Sequence, residues 1–281
     1  MISVKTLADT YNLDTGDRLT TLELVYPRVV HSEFMTHRTF SRNAGSSRAK
    51  PIKTVIKEVE ENPYIPRAFG LAQKGMQPKE FIYKDETDID RWNEYQDYVE
   101  WWCGSLDQAL EMAKKGAALG LHKQVVNRLL EPFQHISVVC TATDWDNFIN
   151  LRTELDENGN PMADIPIYDL AVEVRDELDT HQPEQVHYGY WHVPYAGGEG
   201  WDDLSPQDQL RASIARCARV SYRTYQGGID VDKDLALYYS LAKNNHLSPL
   251  EHVACATEDA RFANLSGFKS FRGFYEDGRI N

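Results

Sequence analysis

The sequence predicts an α+β fold, in which a mainly antiparallel sheet is flanked by helices within one domain spanning 1–281. Segments 19–30 and 136–141 are rich in β-branched and apolar residues, which favours strands. Elsewhere apolar residues recur at three- and four-residue steps, which favours helices. With 281 residues and 42% apolar side chains, the chain is long enough to bury a substantial core.

In the first half of the chain, the strand predicted at 19–30 is interrupted by Pro27, and a polar, basic segment follows it directly. Prolines and glycines break the stretch 51–90, which predicts a short helix followed by a long irregular excursion. An apolar face between 92 and 113 then predicts a helix that ends near Gly116.

The second half alternates helices with the strand at 136–141. A short helix is predicted at 125–130, stopped by Pro132, and a further helix begins after a cap at Thr143 or Asp144. Ser205 and Pro206 predict another capped helix start. The remaining predicted elements are helices at 144–155, 165–178 and 233–244, a turn at 156–161 and a glycine turn at Gly227 and Gly228.

Bulk properties exclude several classes of function. A formal net charge of -13 argues against a surface that binds a nucleic-acid polymer or an anionic membrane, although a local basic pocket is compatible with it. The four cysteines are far apart, so we expect no disulfide framework and no metal site. The sequence contains neither a signal-peptide pattern nor a run of apolar residues long enough to span a membrane, which predicts a cytoplasmic protein.

One basic segment stands out from this acidic background. Between His37 and Lys50 there are three arginines, one lysine and no acidic residue, interleaved with serines and asparagine. Arginine forks, serine hydroxyls and the backbone amides around Gly45 are suited to phosphate. A solvated basic turn is the alternative, and composition alone does not separate the two. No glycine-rich loop of the GxGxxG or GxxxxGK[ST] type is present, which argues against a nicotinamide or ATP domain.

The order of residues in this segment resembles a known signature. The stretch 27–48, PRVVHSEFMTHRTFSRNAGSSR, resembles that of flavin-dependent thymidylate synthases, in which a proline-containing strand precedes RHRxxSxNExSxR. The positions that fit are His37, Arg38, Ser41, Asn43, Ser46 and Arg48. The positions that depart are Glu33, Thr36 and Ala44, where Gln, Arg and Glu are usual; all three belong to the nucleotide side of the motif.

Two further segments resemble later motifs of the same family. NRLLEP at 127–132 resembles ARxxLP with two changes, and NFINLR at 147–152 resembles NFxxLR. The resemblance implies that Arg128 holds the nucleotide phosphate, Asn147 contacts the flavin, and Arg152 approaches the pyrimidine ring as the catalytic residue. The alternative is that these are surface residues on helices.

A third match lies in an unexpected place. ARVSY at 218–222 and HLSPLEH at 246–252 resemble ARVSY and HxSPFEH, which the family carries before its RHR segment. A circular permutation would explain this order, with the flavin motifs at 210–281, and it requires 246–252 to lie near 37–48. The cofactor-binding residues that the resemblance then implies are His37, Arg38, Asn43, Asn147, Ser221, His246, Ser248 and Glu251. Taken singly, His246 and His252 are more typical of capping or core histidines.

The resemblance implies methylation of dUMP to dTMP at C5, with FAD as cofactor and with methylenetetrahydrofolate and NADPH as co-substrates. It also implies a homotetramer with flavin sites between subunits. The expected substrate-binding residues are Glu33, Ala44, Gly45, Ser46, Ser47, Arg48, Arg128 and Arg152. Because Cys140 and Cys103 are predicted to be buried and unreactive, no cysteine nucleophile is expected.

Two alternatives remain open from the sequence. The departures at Glu33, Thr36 and Ala44 leave open a deoxycytidylate methylase or hydroxymethylase, because changed residues around the ring alter which base is recognised. A flavin- or nucleotide-binding protein without catalysis is the other reading.

Overall fold

The computed structural model describes residues 2–75, 77–221 and 230–280, and its centre is a five-stranded sheet. The strand order is β3-β6-β2-β1-β7, and all neighbours are antiparallel except β7, which runs parallel to β1. The strands are β1 (Ser3–Asn12), β2 (Arg18–Pro27), β3 (Ser41–Ala44), β6 (His135–Ala142) and β7 (Glu184–Val186).

Two smaller sheets complete the strand content of the described residues. A two-stranded hairpin of β4 (Ala68–Gly70) and β5 (Phe81–Tyr83) lies within the 51–90 excursion. A three-stranded antiparallel sheet has the order β10-β9-β8, formed by β8 (Trp191–His192), β9 (Ala254–Phe262) and β10 (Leu265–Ser270).

The helices in the described ranges vary greatly in length. The α-helices are α1 (His31–Phe34), α2 (Ile52–Glu61), α3 (Ile89–Ala118), α4 (Lys123–Val126), α5 (Asp146–Thr153), α6 (Ile165–Thr180), α7 (Pro206–Ala218), α8 (Val231–Lys243) and α9 (Phe271–Glu276). The 3-10 helices are Arg28–Val30, Asn127–Phe133, Arg219–Ser221 and Ser248–Glu251.

The central sheet is covered on both faces, since residues on both faces of β2 and β6 are buried. Alternate residues of β2 and β6, among them Leu24 and Val138, pack against α5 and α6 in the largest core cluster. On the opposite face, Val139 packs against Cys217 of α7, and Leu19 packs against the three-stranded sheet, which is called the second sheet below. Helices therefore flank a mainly antiparallel sheet, which confirms the predicted fold class.

The periodic elements were predicted correctly. β2 ends at Pro27, β6 contains 136–141, and α3 ends two residues beyond Gly116. α7 begins as predicted, since the Ser205 hydroxyl accepts a hydrogen bond from the Asp208 amide. The helices predicted at 165–178 and 233–244 correspond to α6 and α8. The predicted glycine turn at 227–228 lies outside the described residues.

Two predicted helix boundaries were wrong. Pro132 does not stop the helix that precedes it: α4 ends earlier, at Val126, and the chain continues as a 3-10 helix through Phe133. α5 begins at Asp146 and has no side-chain cap. The expected cap residue Thr143 instead accepts a hydrogen bond from the Ser266 amide at 3.1 Å. Within the described part of the chain, no helix is long and apolar enough to cross a bilayer.

Candidate functional site

The segment 37–48 lies at the edge of the central sheet, where aromatic packing fixes its start. Phe34 and Phe40 are buried and contact Phe148 of α5 at ring-centroid distances of 5.6 Å. Arg42 turns inward, and its Nη1 donates to the carbonyls of Phe34 at 3.2 Å and His37 at 2.9 Å. Arg42 therefore stabilises the turn before β3, and the polar residues around it are held in fixed positions.

Three predicted site residues meet beside this turn. Arg152 Nε donates to His37 Nε2 at 3.2 Å, and Arg152 Nη1 lies 3.5 Å from Glu33 Oε2. The Arg152 side chain is 16% exposed and the Glu33 side chain 39%. The cluster of Glu33, His37 and Arg152 is thus close to solvent on one side and packed against Phe148 on the other.

The electrostatics of this cluster fix the state of the imidazole. Burial lowers the pKa of His37 to about 4, and the guanidinium groups of Arg152 and Arg42 contribute to the decrease. His37 is therefore neutral near pH 7, and its Nε2 accepts the Arg152 hydrogen bond, so the proton resides on Nδ1. Burial raises the pKa of Glu33, the nearby Asp164 carboxylate raises it further, and Arg152 opposes both.

The turn after β3 forms a small pocket with basic and hydroxyl groups. The Gly45 amide donates to the Ser137 carbonyl at 2.8 Å, and a Cβ on Gly45 would lie 3.3 Å from that oxygen. The Ser47 hydroxyl donates to Glu131 at 2.6 Å. Arg28 and Lys50 line the same pocket, as do Ser46, Ser47 and the Val220 segment. The Gly45 amide and the Ser47 hydroxyl are therefore already engaged and Glu58 also lines the pocket, so the donors that this turn pocket offers a phosphate are Arg28 and the Ser46 hydroxyl.

The cations of the turn pocket are not equivalent. Arg28 Nε lies 3.5 Å from Glu131, and Lys50 Nζ lies 2.8 Å from Glu58. Burial lowers the pKa of Arg28; Glu131 opposes this decrease, whereas the charge of Arg128 adds to it, so the two arginines are neighbours. An anion entering the pocket would relieve this mutual repulsion.

Three predicted arginines remain available for a ligand. Arg38, Arg48 and Arg128 are exposed, and none of them has an ion pair or side-chain hydrogen bond with any residue of the described ranges. In a chain with a formal net charge of -13, three exposed arginines without a partner in the described part of the chain constitute a local positive charge. The predicted basic character of 37–48 is therefore present at the surface of the fold.

The C-terminal motifs lie against the basic segment. The 3-10 helix Ser248–Glu251 packs against β3. Asn43 Nδ2 lies 3.4 Å from the Cys217 carbonyl, and Asn264 Nδ2 donates to the Thr39 carbonyl and the Ser41 hydroxyl at 3.1 and 2.8 Å. This is the proximity that the circular-permutation hypothesis requires; the permutation itself stays a hypothesis.

The side chains of several predicted cofactor-binding residues make no described contact with the segment 37–48. His246 and Ser248 are exposed, and Glu251 forms an ion pair with Arg272 at 2.7 Å. Asn147 is exposed on α5, one residue before the buried Phe148. The side chain of Ser221, and Tyr222 after it, lie outside the described residues.

His252 is a core residue, as predicted for this histidine when it is considered apart from the motif. It is fully buried, and its Nδ1 lies 2.8 Å from the Thr141 hydroxyl. The Thr141 hydroxyl bonds to that of Thr21 at 2.7 Å, and Thr21 in turn contacts His192 Nε2 at 2.8 Å. These residues connect the second sheet to the central sheet.

Sequence reasoning missed three residues of the turn pocket. Arg28 and Lys50 line it, and Asn127 supports it by donating to the carbonyls of Ser47 at 2.6 Å and Lys50 at 3.1 Å. The position of Arg28 at the end of a predicted strand was an available signal. Asn127 carried none, because its role depends on a contact with a segment 80 residues away.

Comparisons with known proteins give a fold-level likeness only. No protein-family model matches the sequence, and no curated protein sequence matches it. Similar solved structures include the UMP/dUMP methylase PolB from Streptomyces cacaoi bound with 5-Br UMP, 16% identical, with a TM-score of 0.48 over 63% of this chain and 88% of that chain. The same methylase bound with 5-Br dUMP is 14% identical, with a TM-score of 0.46 over 63% and 90% of the two chains. Neither likeness assigns a ligand to this chain.

Proposed function

We propose that this chain methylates a pyrimidine deoxynucleotide at C5, converting dUMP to dTMP with reduced FAD and methylenetetrahydrofolate. The observation that carries the proposal is the cluster of Glu33, His37 and Arg152, together with the exposed arginines Arg38, Arg48 and Arg128, which have no partner among the described residues. The resemblance of the three sequence blocks to flavin-dependent thymidylate synthases supplies the chemistry, and the packing of Ser248–Glu251 against β3 supports it.

Arg152 is the residue proposed to act on the pyrimidine. Two nitrogens of its guanidinium face His37 and Glu33, whereas Nη2 has no hydrogen-bond partner among the residues that the structure describes. A guanidinium held by two neighbours is preorganised, and its third nitrogen can stabilise negative charge that develops on the ring. His37 serves as a positioning residue, because its neutral imidazole accepts from Arg152 Nε.

The phosphate of the substrate is proposed to bind at the turn pocket. Arg28 and Ser46 supply a guanidinium fork and a hydroxyl beside Gly45, and the charge of Arg128 acts on Arg28. Their cations are paired only weakly or not at all, so a phosphate would gain charge-assisted hydrogen bonds.

The donor set of the segment fits a dinucleotide flavin. Arg38 is exposed and unpaired among the described residues, and Asn43 offers an amide at the contact with α7. These residues, with Asn147 on α5, would hold FAD. When bound, the reduced flavin supplies the reducing equivalents for methyl transfer, and NADPH is the proposed source that regenerates it.

The cysteines support a route without an enzyme nucleophile. Cys140 and Cys217 are fully buried, and burial strongly raises the pKa of both thiols. Cys103 is partly exposed on α3, contrary to the expectation of burial. The Cys255 thiol is also buried, which raises its pKa to about 11.

A second candidate substrate is dCMP, and Glu33 is the observation that favours it. A carboxylate accepts a hydrogen bond from the exocyclic amino group of cytosine, whereas it repels the O4 carbonyl of uracil. Glu33 replaces the glutamine that the family motif would place there, and its side chain is 39% exposed beside Arg152.

The test is the absorbance spectrum of the purified protein together with tritium release from dUMP or dCMP labelled at C5. We expect flavin absorbance, and release that requires methylenetetrahydrofolate and a reductant. Release from dCMP alone would assign the second substrate, and Glu33→Gln should then shift preference towards dUMP. A protein that binds FAD but releases tritium from neither nucleotide would be a binding protein without catalysis.

A further inference from the structure

The hairpin formed by β9 and β10 is fixed against the central sheet midway along its length. Asn12 of β1 is 0% exposed, and its Nδ2 donates to the carbonyls of Gly267 at 2.8 Å and Thr257 at 3.0 Å. Gly267 has a φ of +67°, and a Cβ there would collide with the side chains of Thr15 and Asp17. A buried amide and a close approach that requires glycine therefore hold the hairpin in one position.

The tip of this hairpin has a strained backbone. Only Ala263 and Asn264 join the two strands, because Phe262 pairs with Leu265. Ala263 has a φ of 52°, in the left-handed region that is unfavourable for a residue with a Cβ. Strained residues of this kind persist where surrounding contacts hold them, and they are concentrated at functional sites. The contacts of the neighbouring residue, Asn264, are therefore of interest.

Asn264 bonds to the basic segment at two points. Its Nδ2 donates to the Thr39 carbonyl at 3.1 Å and to the Ser41 hydroxyl at 2.8 Å. These residues flank Phe40, so one side-chain amide holds the chain before and after this ring. Ser41 is 1% exposed, so water has little access to replace the donor.

Phe40 connects this contact to the cluster of Glu33, His37 and Arg152. The Phe40 ring is stacked on that of His37, with centroids 5.8 Å apart, and its centroid lies 4.6 Å from that of Trp145. His37 in turn accepts from Arg152 Nε at 3.2 Å. Because closely packed side chains transmit displacements, a shift of Phe40 would move the imidazole away from the guanidinium.

The same hairpin also holds the start of α5, the helix that carries Arg152. The Ser266 amide donates to the Thr143 hydroxyl at 3.1 Å, shortly before α5 begins. The imidazole of His37 is thus attached to the hairpin through residues 39–41, and the guanidinium is attached to it through α5. The relative position of the two groups depends on this common attachment.

We infer that Asn264 is a positioning residue, whose amide orients the His37–Arg152 pair by holding the chain on both sides of Phe40. The inference rests on the proposed function, in which Arg152 acts on the pyrimidine. Asn264 contacts none of the residues assigned to the phosphate. Its loss should therefore lower kcat and leave the KM for the nucleotide nearly unchanged.

The kinetic test uses Asn264→Asp, which keeps the shape of the side chain and replaces the donor with an acceptor that the Thr39 carbonyl repels. We expect kcat for tritium release to fall at least about tenfold, because misplacing a catalytic group by a small distance can cost up to about 100-fold. The KM should change less than about twofold. Arg261→Ala alters an exposed residue of the same hairpin and is the matched control, with wild-type kinetics expected.

Thermal melting establishes whether each variant is folded. If Asn264→Asp does not fold, the comparison is made in the Ala263→Gly background, where the strain of the positive φ is relieved.

A second readout needs no turnover. Nitrogen NMR of the full-length protein, labelled with 15N in its histidine rings, reports which nitrogen of His37 carries the proton, and His37→Gln identifies the signals. The wild-type protein should show the Nδ1–H form, because Nε2 accepts from Arg152. In Asn264→Asp, the separation between the two ring-nitrogen signals should narrow, because the imidazole no longer keeps one tautomer.

Three outcomes would overturn the inference. They are wild-type kcat in the folded Asn264→Asp variant, a lower kcat with unchanged His37 signals, or an equal loss of kcat in Arg261→Ala. If the wild-type protein releases no tritium, the proposed function fails, and the His37 signals then decide the positioning role alone: narrowing in Asn264→Asp supports it and unchanged signals refute it. The two failures are therefore distinguishable.

Discussion

Arg152 lies between an acid and an imidazole, and each neighbour restricts it differently. Glu33 attracts the guanidinium by charge, whereas His37 accepts one hydrogen bond and is kept neutral by its burial. The ion pair between Arg152 and Glu33 is 3.5 Å long, which is long for a strong pair, so Glu33 alone would hold the guanidinium only weakly. Two moderate contacts orient the side chain and leave Nη2 for a ligand.

Replacing Arg152 with alanine should nearly abolish turnover, because the ring would lose its only proposed source of charge stabilisation. Removal of one such preorganised donor typically lowers kcat by about 10² to 10³. The measurement is tritium release at saturating nucleotide. Arg175, an exposed arginine of α6 that pairs with its neighbour Asp176, provides the matched control, since Arg175→Ala should keep wild-type activity. An Arg152→Ala variant with most of its activity would refute the assignment.

At the scale of elements, the 3-10 helix Asn127–Phe133 determines the shape of the turn pocket. Asn127 is 1% exposed, and its amide donates to two carbonyls of the turn, those of Ser47 and Lys50. The same helix carries Glu131, which accepts a hydrogen bond from the Ser47 hydroxyl and lies 3.5 Å from Arg28, and Arg128, whose charge acts on Arg28. One short helix therefore supports the turn through both Asn127 and Glu131.

Asn127→Asp should raise the KM for the nucleotide several-fold and change kcat little. The substitution keeps the shape of the side chain but places a carboxylate against two carbonyl oxygens, which loosens the turn that is proposed to bind phosphate. Steady-state kinetics with varied nucleotide separates the two constants. Leu129→Ala alters an exposed residue of the same 3-10 helix and serves as the control. A fall in kcat at constant KM would contradict a positioning role.

The cap of α7 is expected to matter for stability and not for chemistry. Ser205→Ala removes the hydroxyl that accepts from the Asp208 amide, which should lower the free energy of unfolding by about 1 kcal/mol. Ser205→Thr keeps a hydroxyl that can accept from the Asp208 amide and donate to the Asp208 carboxylate, and it should restore most of the loss. Urea denaturation of the three proteins measures the difference. Equal stabilities would show that water replaces the cap.

The elements with clear periodicity were predictable, and those whose polar residues are paired in the tertiary structure were not. β1 was not predicted, because Asp9 and Thr10 look like surface residues in sequence. In the fold they are buried, Asp9 by its pair with Arg18 and Thr10 by its bond to His192. The site followed the same rule: the basic segment was evident from its residue order, whereas the roles of Asn127 and Asn264 depend on distant contacts.

Across the whole molecule, two neutral histidines are buried between the sheets. His192 and His252 are both 0% exposed, and burial lowers the pKa of each to about 3. Threonine hydroxyls bond to both rings. Protonating either ring in the folded state would bury a charge; the Asp9 carboxylate opposes the decrease in the pKa of His192, but burial outweighs it.

The free energy of unfolding should therefore decrease as the pH falls. Both histidines have folded-state pKa values below the ordinary value of 6.5, so the unfolded chain binds more protons between about pH 6.5 and pH 3. Their contribution is complete above about pH 6.5 and declines through that window, by about 1 kcal/mol per pH unit for each ring. Urea unfolding at pH 7 and pH 5 tests this.

A suitable control for the acid effect is His246→Gln, since His246 is exposed. The variant should show the same pH dependence as the wild-type protein. An equal free energy of unfolding for the wild-type protein at pH 7 and pH 5 would contradict the predicted cost of protonating the buried rings.

The contact between β3 and the C-terminal part of the chain has a consequence for the order of folding. Asn43 and Cys217 are 174 residues apart, and Asn264 and Thr39 are 225 apart. Contacts of such long sequence separation form late, because the loop must close before they stabilise anything. The basic segment would thus exist before its companion motifs reach it, and during refolding the recovery of ligand binding should lag behind the recovery of helix and sheet.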